Sequence, residues 1–272
     1  MFIGCHTSDN ELVGQIGDGY ADHAEWESPE NSKIDRPAFS ITADAPGSDL
    51  AAETAAALAA SSKFFRLNGD AEYADKCLEH AKKLFDFAYT YQGKWDTGIE
   101  NYSYLKLKCL GKYTDSIPAG GFYESWSGYK DELAWGAAWI ASATGYKTDI
   151  DRAESIWTEM GGDNEMPNEV SWDNKWASTF LVMYDITRKT SYKTLAESFL
   201  NFVLNSPTTE LGLVWTSNSQ WGSLRLSFVT KIKFLILDIS PLDMLAIWHY
   251  LLCNLLIFKL CLKSPLGLLS NK

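Results

Sequence analysis

The chain has 272 residues, a formal net charge of −11 and 46% hydrophobic residues, which is ample apolar content for a large buried core. That charge argues against a nucleic-acid partner, because a polyanion would be repelled. It is also unevenly spread: residues 226–272 hold five lysines and two aspartates, so the acidity belongs to residues 1–225. The opening stretch, MFIGCHTSDNELVGQIGDG, has neither a basic leader nor a long apolar run, so it is not expected to be a signal peptide. The five cysteines have irregular spacing and no CxxC pair, which predicts neither a disulfide framework nor a zinc site.

From Gly47 the pattern turns helical. GSDLAAETAAALAASSKFFRL puts Leu50, Thr54, Ala57, Leu58, Ser61 and Phe65 on one stripe, with Ser48 and Asp49 as candidate N-caps. Residues 70–91 repeat the device with Tyr73, Cys77, His80, Ala81, Leu84, Phe87 and Ala88. The short Asn68-Gly69 link predicts an antiparallel hairpin. Further helices are predicted over 130–144, 149–160, 173–187 and 191–204, the last capped by Ser191. Sustained strand alternation is hard to find, so the expected fold class is all-α, built from helical hairpins.

Seven of the 11 tryptophans fall into two contrasting sets. Trp135, Trp139 and Trp157 lie within predicted helices and read as core. Trp26, Trp126, Trp172 and Trp221 lie in loops or at helix starts among polar residues. Flat indole faces flanked by hydrogen-bonding groups suit a sugar ring, and ordinary loop packing is the competing reading. The stretch FYESWSGYKDELAW (122–135) carries Asp131 and Glu132 at a helix start, where spacing alone favours interaction with the helix dipole. A second reading pairs them with the carbonyls of Ser127 and Gly128 and with Asp173 of SWDNKW, as hard oxygen ligands for Ca²⁺.

Taken together, GSDLAAETAAALAASS, FYESWSGYKDELAWGAAWI, SWDNKW and WGSLR resemble glycoside hydrolase family nine, the endoglucanases, and look most like its animal members. DHAEWESPEN (22–31) resembles a degraded copy of the family's Asp-His-x-x-Trp-x-x-Pro-Glu loop. The resemblance covers residues 2–94 and 113–225. It implies an incomplete (α/α)₆ barrel and inverting hydrolysis of β-1,4-glucan, with cellulose and cello-oligosaccharides as partners. It also implies a structural Ca²⁺ held by Ser127, Gly128, Asp131, Glu132 and Asp173, with no organic cofactor. His23, Trp26, Tyr123, Trp126, Trp221 and Arg225 would bind substrate. Members are secreted, so an extracellular location is implied.

Inversion needs an acid and a base carboxylate about 6.5–9.5 Å apart. The family's Asp-Ala-Gly-Asp base segment has no counterpart here: neither Asp18-Gly-Tyr-Ala-Asp22 nor Asp44-Ala-Pro-Gly-Ser-Asp49 matches it. Its acid is a C-terminal glutamate, and residues 226–272 contain no glutamate. No residue is therefore assigned a catalytic role, and this chain is expected to be inactive, with a non-catalytic glucan-binding protein as the alternative. Residues 95–112 read as a non-family insert, either a retained intron or a surface loop, since removing them leaves the smooth run YQGKYTDSIP. Residues 226–272 read as a non-family tail of translated non-coding sequence. The competing readings are a membrane anchor and a further packed helix. The apolar run from Met244 to Leu262 is interrupted by His249, Asn254 and Lys259, so no membrane association is expected.

Overall fold

The computed structural model describes residues 2–92, 117, 122–123, 125–210 and 213–215. The proposed 95–112 insert, the 226–272 tail, Trp221 and Arg225 lie outside the described residues. Among the described residues the fold is mostly helical. Two short helices, α1 (Phe2–Cys5) and α2 (Gly19–His23), belong to the N-terminal segment. The helical body comprises α3 (Ser48–Leu67), α4 (Ala71–Thr90), α5 (Lys130–Thr144), α6 (Lys147–Met160), α7 (Trp176–Thr187) and α8 (Thr190–Leu204).

Helix α3 is central. It packs against α4 on one side and α5 on the other, and α5 in turn meets α6 and α7, while α7 meets α8. The alanine run explains this position: Ala51, Ala52, Ala55, Ala56 and Ala59 are fully buried, and small side chains let neighbouring backbones approach from several directions. The predicted single stripe on α3 is therefore too narrow, because residues Ser48 to Ala60 are buried all round. Ser48 and Asp49 also lie inside the first turn rather than at the cap, which is Gly47. The Ser48 hydroxyl donates instead to the Ala88 carbonyl of α4 (2.9 Å), tying the two helices together.

Helix α4 is amphipathic as expected, burying Ala74, Cys77, Ala81, Leu84, Phe85, Phe87 and Ala88. Its start is fixed by Asp70, whose carboxylate accepts from the Tyr73 amide (3.0 Å). Helix α7 begins at Trp176, three residues later than the expected Asp173, because residues 171–175 form a turn held by the Ser171 side chain. Helix α8 begins at Thr190 after Lys189, with no side-chain cap from Ser191.

The core tryptophans behave as the sequence predicts. Trp135, Trp139 and Trp157 are buried, and Trp135 meets Trp139 edge-to-face at 5.5 Å. Trp157 is the hub of the far side, packing edge-on against Trp176, Phe180 and Tyr192. Its indole N–H donates to Asp163 (2.9 Å), which satisfies the buried polar end.

One element was not expected. Strands β1 (His6–Ser8), β2 (Glu11–Ile16) and β3 (Ala38–Thr42) form an antiparallel sheet in the order β1-β2-β3. Leu12 and Ile41 are paired in register and are the fully buried side chains of β2 and β3. Among the described residues no helix is long and apolar enough to cross a membrane.

Candidate functional site

Three segments converge at one end of the helical body: α2, the loop before α5, and the turn before α7. The Phe122 ring lies between Tyr20 (4.9 Å) and His23 (4.7 Å) of α2. His23 is exposed, and its Nδ1–H donates to the Gly19 carbonyl (2.8 Å), which orients the ring. Immediately beyond Phe122, Tyr123 and Trp126 flank Trp172 from the facing turn, at 6.0 and 6.2 Å between ring centres. Trp126 is 66% exposed and Trp26 is 100% exposed, unlike the buried helical tryptophans. Large apolar rings held out in water by a rigid scaffold are available to a ligand with a flat apolar face.

The structure thus gathers Tyr123, Trp126 and Trp172 into an aromatic lip, with His23 against Phe122, the residue before Tyr123. Trp26 follows α2 in the chain, but its fully exposed ring touches neither group of rings. Trp221 and Arg225 lie outside the described residues. Two residues here lie outside the substrate-binding set that the family resemblance implied. Trp172 joins Tyr123 to Trp126 and had already stood apart as a loop tryptophan. Phe122 joins α2 to the lip and carried no signal beyond its neighbours.

Beneath the lip lie the five residues expected to hold Ca²⁺. Asp131 and Glu132 open α5 and are fully buried, and Asp173 is 8% exposed. The Asp173 carboxylate accepts the Ser127 amide N–H through both oxygens (3.0 and 3.2 Å), and the Ser127 hydroxyl donates back to the Asp173 carbonyl. Gly128 has φ +96°, a backbone conformation that glycine adopts at little cost, and its carbonyl accepts from the Ser125 hydroxyl. The Asp131 Oδ2 accepts the Lys175 amide N–H (2.7 Å), while its Oδ1 is buried with no hydrogen-bond partner among the described residues. Burial pushes the Asp131 carboxyl up to about 6, against the pull of the Lys175 amide and the Glu132 side chain.

An unpartnered buried carboxylate oxygen is costly, and a hard cation would relieve that cost. Carboxylate, hydroxyl and carbonyl oxygens are the donor types Ca²⁺ prefers, so the residues present fit it. Among the described residues no three Asp, Glu, His or Cys side chains form a metal cluster by themselves, so backbone and hydroxyl oxygens would have to share the work.

The profile of Glycosyl hydrolase family 9 matches residues 1–246. The chain belongs to glycosyl hydrolase family 9. It is 39% identical over 228 residues to the Endoglucanase of Dictyostelium discoideum, covering 82% of this chain and 30% of that protein. It is 38% identical over 235 residues to Endoglucanase A of Bacillus pumilus, covering 82% and 32% respectively. Among solved structures it matches the endoglucanase of an animal, the termite Nasutitermes takasagoensis, with TM-score 0.73 and 37% identity, over 95% of this chain and 54% of that one. It also matches a cellulase of C. cellulolyticum solved in complex with cellobiose, with TM-score 0.66 and 28% identity, over 95% and 56%. The chain therefore spans about a third of these curated relatives and about half of these solved domains. The mostly helical body is part of the (α/α)₆ barrel of this family.

Proposed function

We propose that this chain is the glucan-binding, calcium-held part of an endo-β-1,4-glucanase domain, and that its 272 residues alone bind cello-oligosaccharides without hydrolysing them. The observation that carries this reading is the aromatic lip of Tyr123, Trp126 and Trp172 above the buried Asp131–Glu132 pair. A β-glucan presents apolar C–H faces on each ring and a polar rim, so an exposed indole gives it a stacking surface. His23 and Tyr123 lie within or beside the lip as polar partners for its hydroxyls, and the family resemblance of WGSLR assigns Trp221 and Arg225 to substrate binding as well.

Ser127, Gly128, Asp131, Glu132 and Asp173 would hold Ca²⁺. The ion's chemistry there is structural: it neutralises buried carboxylates and so fixes the loop that presents Tyr123 and Trp126. The absence of hydrolysis rests on the sequence, in which neither the Asp-Ala-Gly-Asp base segment nor the acid glutamate of the family has a match. Because cellulose is an insoluble polymer, we place the site of action outside the cell.

Calorimetric titration of the purified chain with cellotetraose tests the binding claim. Binding is expected, with Trp126→Ala weakening it about tenfold, roughly 1.4 kcal/mol. Equal affinity of the variant and the wild type would remove the lip from the reading. Release of reducing sugar from carboxymethylcellulose by the same 272 residues would overturn the claim of inactivity.

A further inference from the structure

Behind the calcium loop lies an ion pair that the binding reading does not use. Lys175 is 1% exposed at its side chain and Glu53 5%, and the Lys175 ammonium lies 3.0 Å from the Glu53 Oε1. Glu53 sits in the second turn of α3, the most deeply buried helix of the body. Lys175 closes the turn that carries Asp173. Buried charges of this kind are expensive to desolvate, and their worth lies in the geometry they impose more than in net stability.

The geometry here is specific. The same ammonium donates to the Ser171 carbonyl (2.7 Å), at the opposite end of the turn from its own backbone. The Ser171 hydroxyl accepts the amides of Asp173 (3.2 Å) and Asn174 (3.1 Å), and the Ser171 amide donates to the Asn174 carbonyl (3.1 Å). The Lys175 amide donates to the Asp131 Oδ2 (2.7 Å). One residue thus bonds to α3 through its ammonium, closes the 171–175 turn through the same group, and orients Asp131 through its backbone.

We infer that Glu53 and Lys175 are positioning residues for the calcium loop: the buried pair anchors the 171–175 turn to α3 and thereby sets the affinity of Asp131 and Asp173 for Ca²⁺. The inference rests on the calcium reading above and adds two residues that would not touch the ion. Outer residues that orient metal ligands change metal affinity by about 10–100-fold when removed.

The discriminating variant is the double substitution Glu53→Gln with Lys175→Met, which leaves the net charge unchanged. Removing Lys175 alone would add an attraction for Ca²⁺ from the stranded Glu53 carboxylate and confuse the result. Ca²⁺ alone is titrated into the full chain by calorimetry, and melting is followed with and without the ion. The double variant is expected to bind Ca²⁺ about tenfold more weakly or worse and to lose most of the Ca²⁺-induced rise in Tm. Glu53→Asp keeps the charge but shortens the reach, so it should show a smaller loss of affinity with unchanged helix content. This variant decides the matter if the double substitution fails to fold.

A purely structural role would lower Tm equally with and without Ca²⁺ and leave the affinity unchanged in both variants, which would overturn the inference while leaving the calcium site intact. A wild-type chain that binds no Ca²⁺ would overturn both readings together.

Discussion

At the scale of single residues, the site depends on backbone conformations that residue type alone does not advertise. Gly128 lies between Trp126, an exposed lip residue, and Asp131, a buried carboxylate, and its φ of +96° turns the chain from one to the other. Space is not the constraint, since among the described residues nothing lies within 4 Å of where a Cβ would sit. The constraint is conformational: an L-residue held there pays about 1–3 kcal/mol in backbone strain. Gly128→Ala is therefore expected to lower stability by about 1–2 kcal/mol in urea unfolding. If the loop holds Ca²⁺ as proposed, the variant should also bind the ion more weakly, because relaxing the strain moves the Ser127 and Gly128 oxygens. Unchanged stability and unchanged Ca²⁺ affinity in this variant would show that the loop tolerates another path.

At the scale of elements, the helices were legible and their surroundings less so. The α3–α4 hairpin follows from two apolar stripes and the Asn68-Gly69 link, and both helices appear within a few residues of the expected bounds. What the stripe could not show is that α3 is enclosed on several sides, because alanine is compatible with any face. The sheet was missed for a related reason. Its strands are short, and β2 and β3 each bury a single side chain, Leu12 and Ile41, which is too little alternation to read as a pattern. In the sequence alone the turn before α7 reads as helix, because Asp173 and Asn174 are common first-turn residues. Only the tertiary bonds to Ser127 and Ser171 show otherwise. Lys175 and Glu53, far apart in sequence, left no local signal of their pairing.

The close approach of α5 to α3 gives a prediction at this scale. A Cβ added to Gly136 would lie 2.8 Å from the Phe85 ring and 3.0 Å from the Ala52 carbonyl oxygen. Helix propensity favours alanine over glycine by about 1 kcal/mol, and overpacking costs about 1–3 kcal/mol. The carbonyl belongs to the most buried helix, and the Phe85 ring is backed by Tyr89 and by the Arg152 guanidinium 5.1 Å from its centre, so neither neighbour yields easily. Overpacking should win, and Gly136→Ala is expected to destabilise by about 1 kcal/mol in thermal or urea unfolding. A rise in Tm would mean that α5 can shift away from α3.

At the scale of the whole molecule, the N-terminal sheet is joined to the helical body through a pair of imidazoles. The His6 Nδ1 of β1 lies 2.8 Å from the His80 Nδ1 of α4, a distance that requires one ring to donate and the other to accept. The His6 Nε2 is buried with no partner among the described residues, so a doubly protonated ring would hold its charge beside an N–H with neither partner nor solvent. Burial and then the neighbouring His80 lower the His6 pKa from 6.5, the Lys83 ammonium adds to the fall, and Asp9 opposes it. Lys83 is itself shared with Asp9 (3.3 Å) and Glu79 (3.2 Å) at the surface.

The direction of the pH effect follows. Below about pH 6.5 the unfolded chain takes up a proton that native His6 resists, so stability present above that pH is lost as the pH falls. Asp131, raised to about 6, acts with the opposite sign, because its native carboxyl holds a proton more tightly than the unfolded one. The two contributions overlap, and only a comparison of variants separates them. The urea midpoint of the wild type minus that of His6→Asn should therefore shrink between about pH 7.5 and about pH 5.5, because only the wild type carries the suppressed imidazole. His80→Asn should flatten the same profile from the other side of the bond. A difference that is constant across this range would mean that the sheet is held to α4 by packing alone and that the imidazole pair carries no proton linkage.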